Sequence, residues 1–289
     1  MSRTATCPQC SALVEMPPER LATTCPYCRT PLVASPSESL AQPDVAASFV
    51  LTREQAALRL AQYLRSRVWA PERVRRDIVP ERIEGVLLPF WVHGGVARSQ
   101  WNARIGVHYY RTVRRGGKTH RERETEWFDS AGTHVAQFEG HLVSASKGLS
   151  EVEANQLEPF DLGQARAYEP SLVAGWIAEF PTLSREQAEP VARAELHDAQ
   201  HAAIQRFLPA DAVSGLTNNT VLEEVTVRLA LLPAWIAIHR SHGGVLRLLI
   251  NGQTGEVVGK LPVSGVKVGL AIGLGLGIPA AIFLAARFL

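Results

Sequence analysis

Two cysteine pairs constrain this chain more than anything else in it. Cys7-Pro-Gln-Cys10 and Cys25-Pro-Tyr-Cys28 are CPxC turns separated by 14 residues. A CxxC turn aims two sulfurs at one point, and two such turns complete a tetrahedral thiolate site. The spacing is that of a zinc ribbon, so Cys7, Cys10, Cys25 and Cys28 are predicted to hold a structural Zn2+. Rubredoxin-type iron takes the same four thiolates, but ligand set and spacing favour zinc. A redox role needs only one CxxC and a βαβ setting, which is missing here. All four positions are protein, which leaves no open site for water or substrate. Thiolate ligation favours a reducing compartment. Where many ribbons carry Gly after the second cysteine of a knuckle, this chain has Ser11 and Arg29.

The second constraint lies at the other end. Val268 to Ala286 runs 19 residues without a charge. As a helix this spans roughly 28 Å, close to the ~30 Å of a bilayer's hydrocarbon. The expectation is a single transmembrane helix over 266–288 that anchors the chain in membrane lipid. Lys260 and Lys267 precede it and orient the bulk of the chain to the cytoplasmic side of the inner membrane. Gly269, Gly273 and Gly277 form a smooth stripe that favours helix–helix pairing, hence a homodimer. The opening MSRTATCPQC has no apolar run, so no signal peptide is expected. Leu229 to Ile238 is too short to span and reads as a buried strand.

Between these ends the chain reads as an ordinary folded protein. It is 46% hydrophobic, which excludes global disorder. Thirty Lys+Arg stand against 28 Asp+Glu, a formal charge of +2, so any contact with phosphates must rest on a local patch. Residues 33–47 are Ser-, Pro- and Ala-rich and predict a flexible linker. The body then repeats itself weakly. Leu51-Thr-Arg-Glu-Gln-Ala56 matches Leu183-Ser-Arg-Glu-Gln-Ala188, and both carry a capping box that opens a helix. Leu87-Leu-Pro-Phe-Trp91 matches Leu231-Leu-Pro-Ala-Trp235, each read as a core strand. The predicted fold class is α+β: a ribbon over 1–32, a duplicated helix-plus-antiparallel-sheet body over 48–170 and 171–263, and the membrane helix. The second copy's helix spans about 184–207, with Ala192, Leu196, Ala199, Ala203 and Phe207 on its apolar face.

Several motifs invite chemistry and fail. Gly116-Gly-Lys-Thr119 ends like a phosphate loop, but Thr112 stands where the first glycine is needed, and THRERETEWF after it alternates like a strand. A two-residue hairpin turn explains the glycines. His197 and His201 have metalloprotease spacing, but Asp198 replaces the glutamate and no third ligand is evident. Glu151 and Glu153 lie without catalytic context, and no nucleophile–base arrangement is visible. No enzyme activity and no catalytic residue is expected. The turn at Gly116-Gly117 puts Arg114, Arg121 and Arg123 on one face with His108, Tyr110 and Trp127, and Glu122, Glu124 and Glu126 on the other. That basic face can meet phosphates of lipid headgroups or nucleic acid, headgroups being the simpler partner beside a membrane anchor.

These residues resemble a bacterial family of membrane-anchored zinc-ribbon proteins. The likeness rests on the CPxC pairs, Gly85-Val-Leu-Leu-Pro-Phe-Trp91, Leu231-Leu-Pro-Ala-Trp235, the VLRLLINGQTGEV stretch ending at Val257, and the apolar tail. Members are often labelled primosomal-protein-N′ or helicase-like on the ribbon alone; this chain has no helicase motor. The resemblance implies non-enzymatic membrane work beside phage-shock-type and SPFH-like protein partners. The expected function is therefore a tail-anchored adaptor that recruits proteins. The alternative is a membrane-held zinc-ribbon protein that binds nucleic acid.

Overall fold

The computed structural model describes residues 3–11, 13–16, 20–25, 28, 30–33, 41–72, 83–146, 148–241 and 244–264. The chain opens with strands β1 (Arg3–Thr6), β2 (Leu13–Met16), β3 (Arg20–Thr24), β4 (Pro31–Val33) and β5 (Val45–Ala46), then helix α1 (Arg53–Ser66). Two long strands follow, β6 (Ile83–Arg115) and β7 (Lys118–Ser144). Next come α2 (Glu151–Leu157), β8 (Arg166–Ala167), α3 (Pro170–Val173), β9 (Ile177–Glu179) and helix α4 (Arg185–Phe207). The long strand β10 (Ala212–Ser241), β11 (Gly244–Asn251) and β12 (Val257–Val258) complete it. Hydrogen bonds join ten strands in one mixed sheet, with β1 and β2 forming a separate pair.

This overturns the expected fold class. The body is not two α+β repeats in series. The chain divides into two interleaved compact units: one takes Met1–Pro89, Gly148–Pro181 and Leu231–Leu289, the other Phe90–Lys147 and Thr182–Ala230. The repeated motifs are real locally, since Thr52 and Ser184 both close complete capping boxes. But a motif reports local conformation, whereas strand pairing is decided over long separations. The expected membrane helix (266–288), with Gly269, Gly273 and Gly277, lies outside the described residues. Among the described residues, no helix is long and apolar enough to cross a membrane.

In the first unit the sheet order is β12-β11-β10-β6-β9-β3-β4. Of the expected flexible linker over 33–47, residues 34–40 lie outside the described residues, while Val33 and 45–47 bond into the sheet. Val33 belongs to β4, Val45–Ala46 pair with β8, and Ala47 donates its N–H to Leu231 O. The ribbon strand β3 pairs with β9, placing Arg20 opposite Glu179 and Ala22 opposite Ala178. Met16, Leu21 and Ala22 share one core with Leu87, Phe180 and Leu231. Apolar burial of this size fixes the ribbon to the sheet. A second core packs Ala56, Leu60 and Leu64 of α1 on Trp235, Leu248 and Ile250. Trp235 donates its indole N–H to Leu51 O and packs with Phe49 and Trp176, so this LLPxW motif is core. Gly85 is required by that aromatic cluster, because a Cβ there would lie 2.6 Å from the Trp176 ring.

The NGQTGEV turn of the same unit is a buried polar hub. Asn251 Nδ2 donates to Leu157 O and Pro159 O, at 2.8 and 2.9 Å, while its Oδ1 accepts from Gln253 and Thr254 N–H. A fully satisfied buried amide fixes two segments against each other.

The second unit is simpler. Residues of β7, β6 and β10 pair side by side, and α4 lies on one face. Trp91, Val143 and Leu229 pack on Ala188 and Ala192, and Trp101 and Ala103 on Ile204 and Leu208. The predicted apolar face of α4 holds only in its first half. Beyond Leu196 the buried positions are Gln200 and Ile204, while Ala199 and Phe207 are exposed. Gln200 replaces an apolar residue because its amide bonds Ser99 Oγ and His134 Nδ1, both at 3.0 Å. Pro190 sits within α4 without ending it.

Candidate metal centre and a basic arm

The turns after β1 and after β3 carry the four cysteines. Ser11 N donates to Cys7 O at 2.9 Å, and Cys25 N donates to Thr30 O at 2.8 Å; both bonds close the knuckles. Ser11 adopts φ +56°, the left-handed conformation that glycine would take at no steric cost. Cys7 and Cys25 are buried with Val14 and Leu32, and Cys10 and Cys28 are exposed. Cys7 Sγ lies 3.5 Å from Cys28 Sγ, Cys10 Sγ lies 3.8 Å from Cys25 Sγ, and all four sulfurs lie within 4.8 Å of one another. Metal–sulfur bonds of ~2.3 Å in a tetrahedron put sulfurs roughly 3.8 Å apart. The donor set fits a metal ion, and the four cysteines can hold one.

The local field favours the ligating form. Contact with the Thr30 side chain, at 3.1 Å, and then its backbone lowers the Cys28 thiol to about 6. Burial pushes Cys7 up, but backbone hydrogen bonds from Cys10 and Gln9 outweigh it and leave the thiol below its ordinary value.

The second feature is an arm. β6 and β7 pair in register through the turn at Gly116 and Gly117, whose φ values of +59° and +78° make it a left-handed hairpin turn. Asp211 caps the third strand there, donating its N–H to Gly106 O and accepting from His108 N at 2.7 Å. Beyond that point β6 and β7 run on with no third strand beside them among the described residues. Tyr110 stands opposite Arg123, Thr112 opposite Arg121 and Arg114 opposite Thr119, so one face gathers Arg114, Arg121, Arg123, Tyr110, His108 and Trp127. Arg121 lies over the Tyr110 ring at 5.0 Å, and Arg104 over Trp127 at 5.7 Å. Tyr110 is 61% exposed, so the stacking holds Arg121 extended without hiding either group.

The other face is neutralised. Arg111 meets Glu124 at 3.7 Å, Arg115 meets Glu122 at 3.6 Å, and Tyr109 donates its hydroxyl to Glu124 at 2.6 Å. Arg111 and Arg115 are the residues sequence reading passed over here, although strand alternation places them opposite the glutamates.

Other predicted features lie apart. His201 Nδ1 is 2.7 Å from Asn218 Oδ1, while His197 is exposed. Among the described residues, only the cysteines form a group of three or more donors drawn together as metal ligands. Glu153 caps α2 and binds Arg247 at 2.8 Å, a structural contact. Sequence reading also missed His93 and His141, two histidines inside otherwise apolar strands and beside glycines. Their register pairs them directly.

No family model matches this chain, and no solved structure matches it. It is similar to the uncharacterized protein YdjG of Bacillus subtilis (strain 168), with 24% identity over 222 residues. The likeness takes in 76% of this chain and 64% of YdjG, so the chain spans less than two thirds of that relative's length.

Proposed function

We propose that this protein is a non-enzymatic adaptor. Its cysteine site holds zinc as a structural staple, and its second unit docks protein partners. Four protein thiolates suit zinc and leave it no open coordination position, which suits a staple and not a catalyst. The observation that carries the adaptor reading is the coverage of the second unit's sheet. α4 lies on one face, and on the other Tyr110, Trp127, Val135 and Val221 stay exposed. Long strands with uncovered faces and edges are the surfaces on which further chains dock. Phage-shock-type and SPFH-like proteins are the partners to which the sequence resemblance points.

The test is reconstitution with such a protein from the same organism. The expected result is a complex that survives gel filtration and is lost on Tyr110→Ser with Val135→Asp. A complex indifferent to both substitutions, or none at all, overturns the reading. A second reading, nucleic-acid binding, draws support from the unneutralised arginines of the arm. Phosphate-driven binding would fall steeply between 50 and 200 mM salt, on the order of a thousandfold for six contacts.

A further inference from the structure

His93 lies in Trp91-Val-His-Gly-Gly95 and His141 in Gly140-His-Leu-Val143, segments that otherwise build core strand. The register sets the two histidines opposite each other beside a bulge between His93 and Gly95. Bulges re-aim side chains and recur next to functional sites. Here Gly94 alone of β6 stands against Glu139 and Gly140 of β7, and Gly140 has φ of +73°. His93 is 2% exposed, and neither of its ring nitrogens makes a well-aligned hydrogen bond, although the Trp91 backbone lies close enough to act on the ring. His141 Nε2 lies 3.0 Å from Glu195 Oε2 of α4, but off the line a hydrogen bond needs. The ring centroids of His93 and His141 are 6.5 Å apart.

Packing alone does not explain this group. A core position that needed only volume would take Leu or Phe, as its neighbours do. An ion pair would need His141 and Glu195 but not His93. A buried imidazole without a well-aligned hydrogen bond costs stability and is unusual in a folded protein.

We propose that His93, His141 and Glu195 form a second metal site, for a divalent transition ion of the zinc, cobalt or nickel class. Two imidazoles and one carboxylate suit such borderline ions and reject soft cuprous ion, which prefers thiolates. Two imidazoles on one ion sit roughly 5 Å apart between ring centres, given metal–nitrogen bonds of about 2.0–2.1 Å. His93 must therefore turn toward His141 and Glu195, and no well-aligned hydrogen bond holds its ring back. Three protein donors leave further coordination positions open. The ion would tie β6, β7 and α4 together. The site uses no cysteine and is independent of the adaptor reading.

The test uses the full chain with its cysteines first saturated with one equivalent of zinc. Cobalt(II) is then titrated and followed by calorimetry and visible spectroscopy. One further equivalent is expected, with weak visible bands and no thiolate-to-cobalt charge transfer. His93→Gln, His141→Gln and Glu195→Gln should each weaken it at least tenfold, whereas His197→Gln, on the same helix, should not. Absence of a further equivalent in the unaltered protein overturns the proposal. So does a further equivalent that persists in the His93→Gln/His141→Gln double variant. Should a variant fail to fold by circular dichroism, the stoichiometry and spectrum of the unaltered protein decide alone.

Discussion

The first unit is assembled from three separated stretches of chain and closes its core with many short elements, whereas the second takes two stretches and lays one long helix on three long strands. The contrast extends to polar groups. In the first unit the candidate metal donors sit on two tight turns close along the chain, while Asn251 both serves its own NGQTG turn and reaches Leu157 and Pro159. In the second, His93, His141 and Glu195 arrive from three elements. Local turns can specify a site before the fold exists. A site shared between strands and helix exists only once the register is set.

The largest effect expected from this difference is in the first unit. Because β3 bonds to β9 and Leu21 shares a core with Phe180, losing the metal should unfold more than the ribbon. Cys10→Ser should cost the first unit about 3 kcal/mol or more, since structural zinc supplies several times that in small ribbons. Hydrogen exchange at Ile177–Glu179 measures it. Protection that survives the substitution would make the ribbon an independent module after all.

Next comes a packing test of the second unit. Trp91 fills the core under α4 and donates its indole N–H to Leu183 O at 3.0 Å. Trp91→Ala should destabilise this unit by about 3–5 kcal/mol in urea unfolding. An equal loss in the first unit would mean that the two unfold together.

A smaller effect is acid sensitivity through Glu153 in the first unit. Burial raises its pKa, but Arg247 and the Ser150 cap outweigh it and hold the carboxyl below its ordinary range. The unfolded chain then takes up the proton first. The stability this contact contributes is present above about pH 4.5 and is lost as pH falls through the lower folded value. Thermal melts of Glu153→Gln from pH 6 to 3 should show a shallower acid decline than those of the unaltered chain.

The smallest change in stability should come from the arm. Arg121→Ser with Arg123→Ser removes exposed cations that no acid among the described residues pairs, and should shift unfolding by less than about 0.5 kcal/mol. Retention on phosphocellulose should nevertheless drop. Arg111→Ser, on the neutralised face, should leave retention nearly unchanged, and equal losses would erase the difference between the two faces.

Much of the local structure was legible. The capping boxes at Thr52 and Ser184, the Gly116-Gly117 turn, the LLPxW strands and the faces of the arm all follow from periods of 3.6 and 2 and from turn chemistry. The apolar face of α4 was misread past Leu196, because Gln200 is buried by partners in β6 and β7 that its own helix does not reveal. The end of the linker was misread because Val45–Ala46 is too short to show a period, and becomes strand only beside β8. The repeat was misread because each helix packs on the other copy's strand: α1 lies on Trp235, and α4 on Trp91.

By itself the sequence determined what neighbouring residues decide: four sulfurs on two turns, helix starts, hairpin turns and side-chain alternation. Those follow from backbone sterics and hydrogen bonds over a few residues. Only the tertiary structure decided that the ribbon is part of the sheet, that the long strands serve two units, and that two histidines face each other under α4. These depend on which distant strands pair and at what register, and that choice is made by burying whole faces at once.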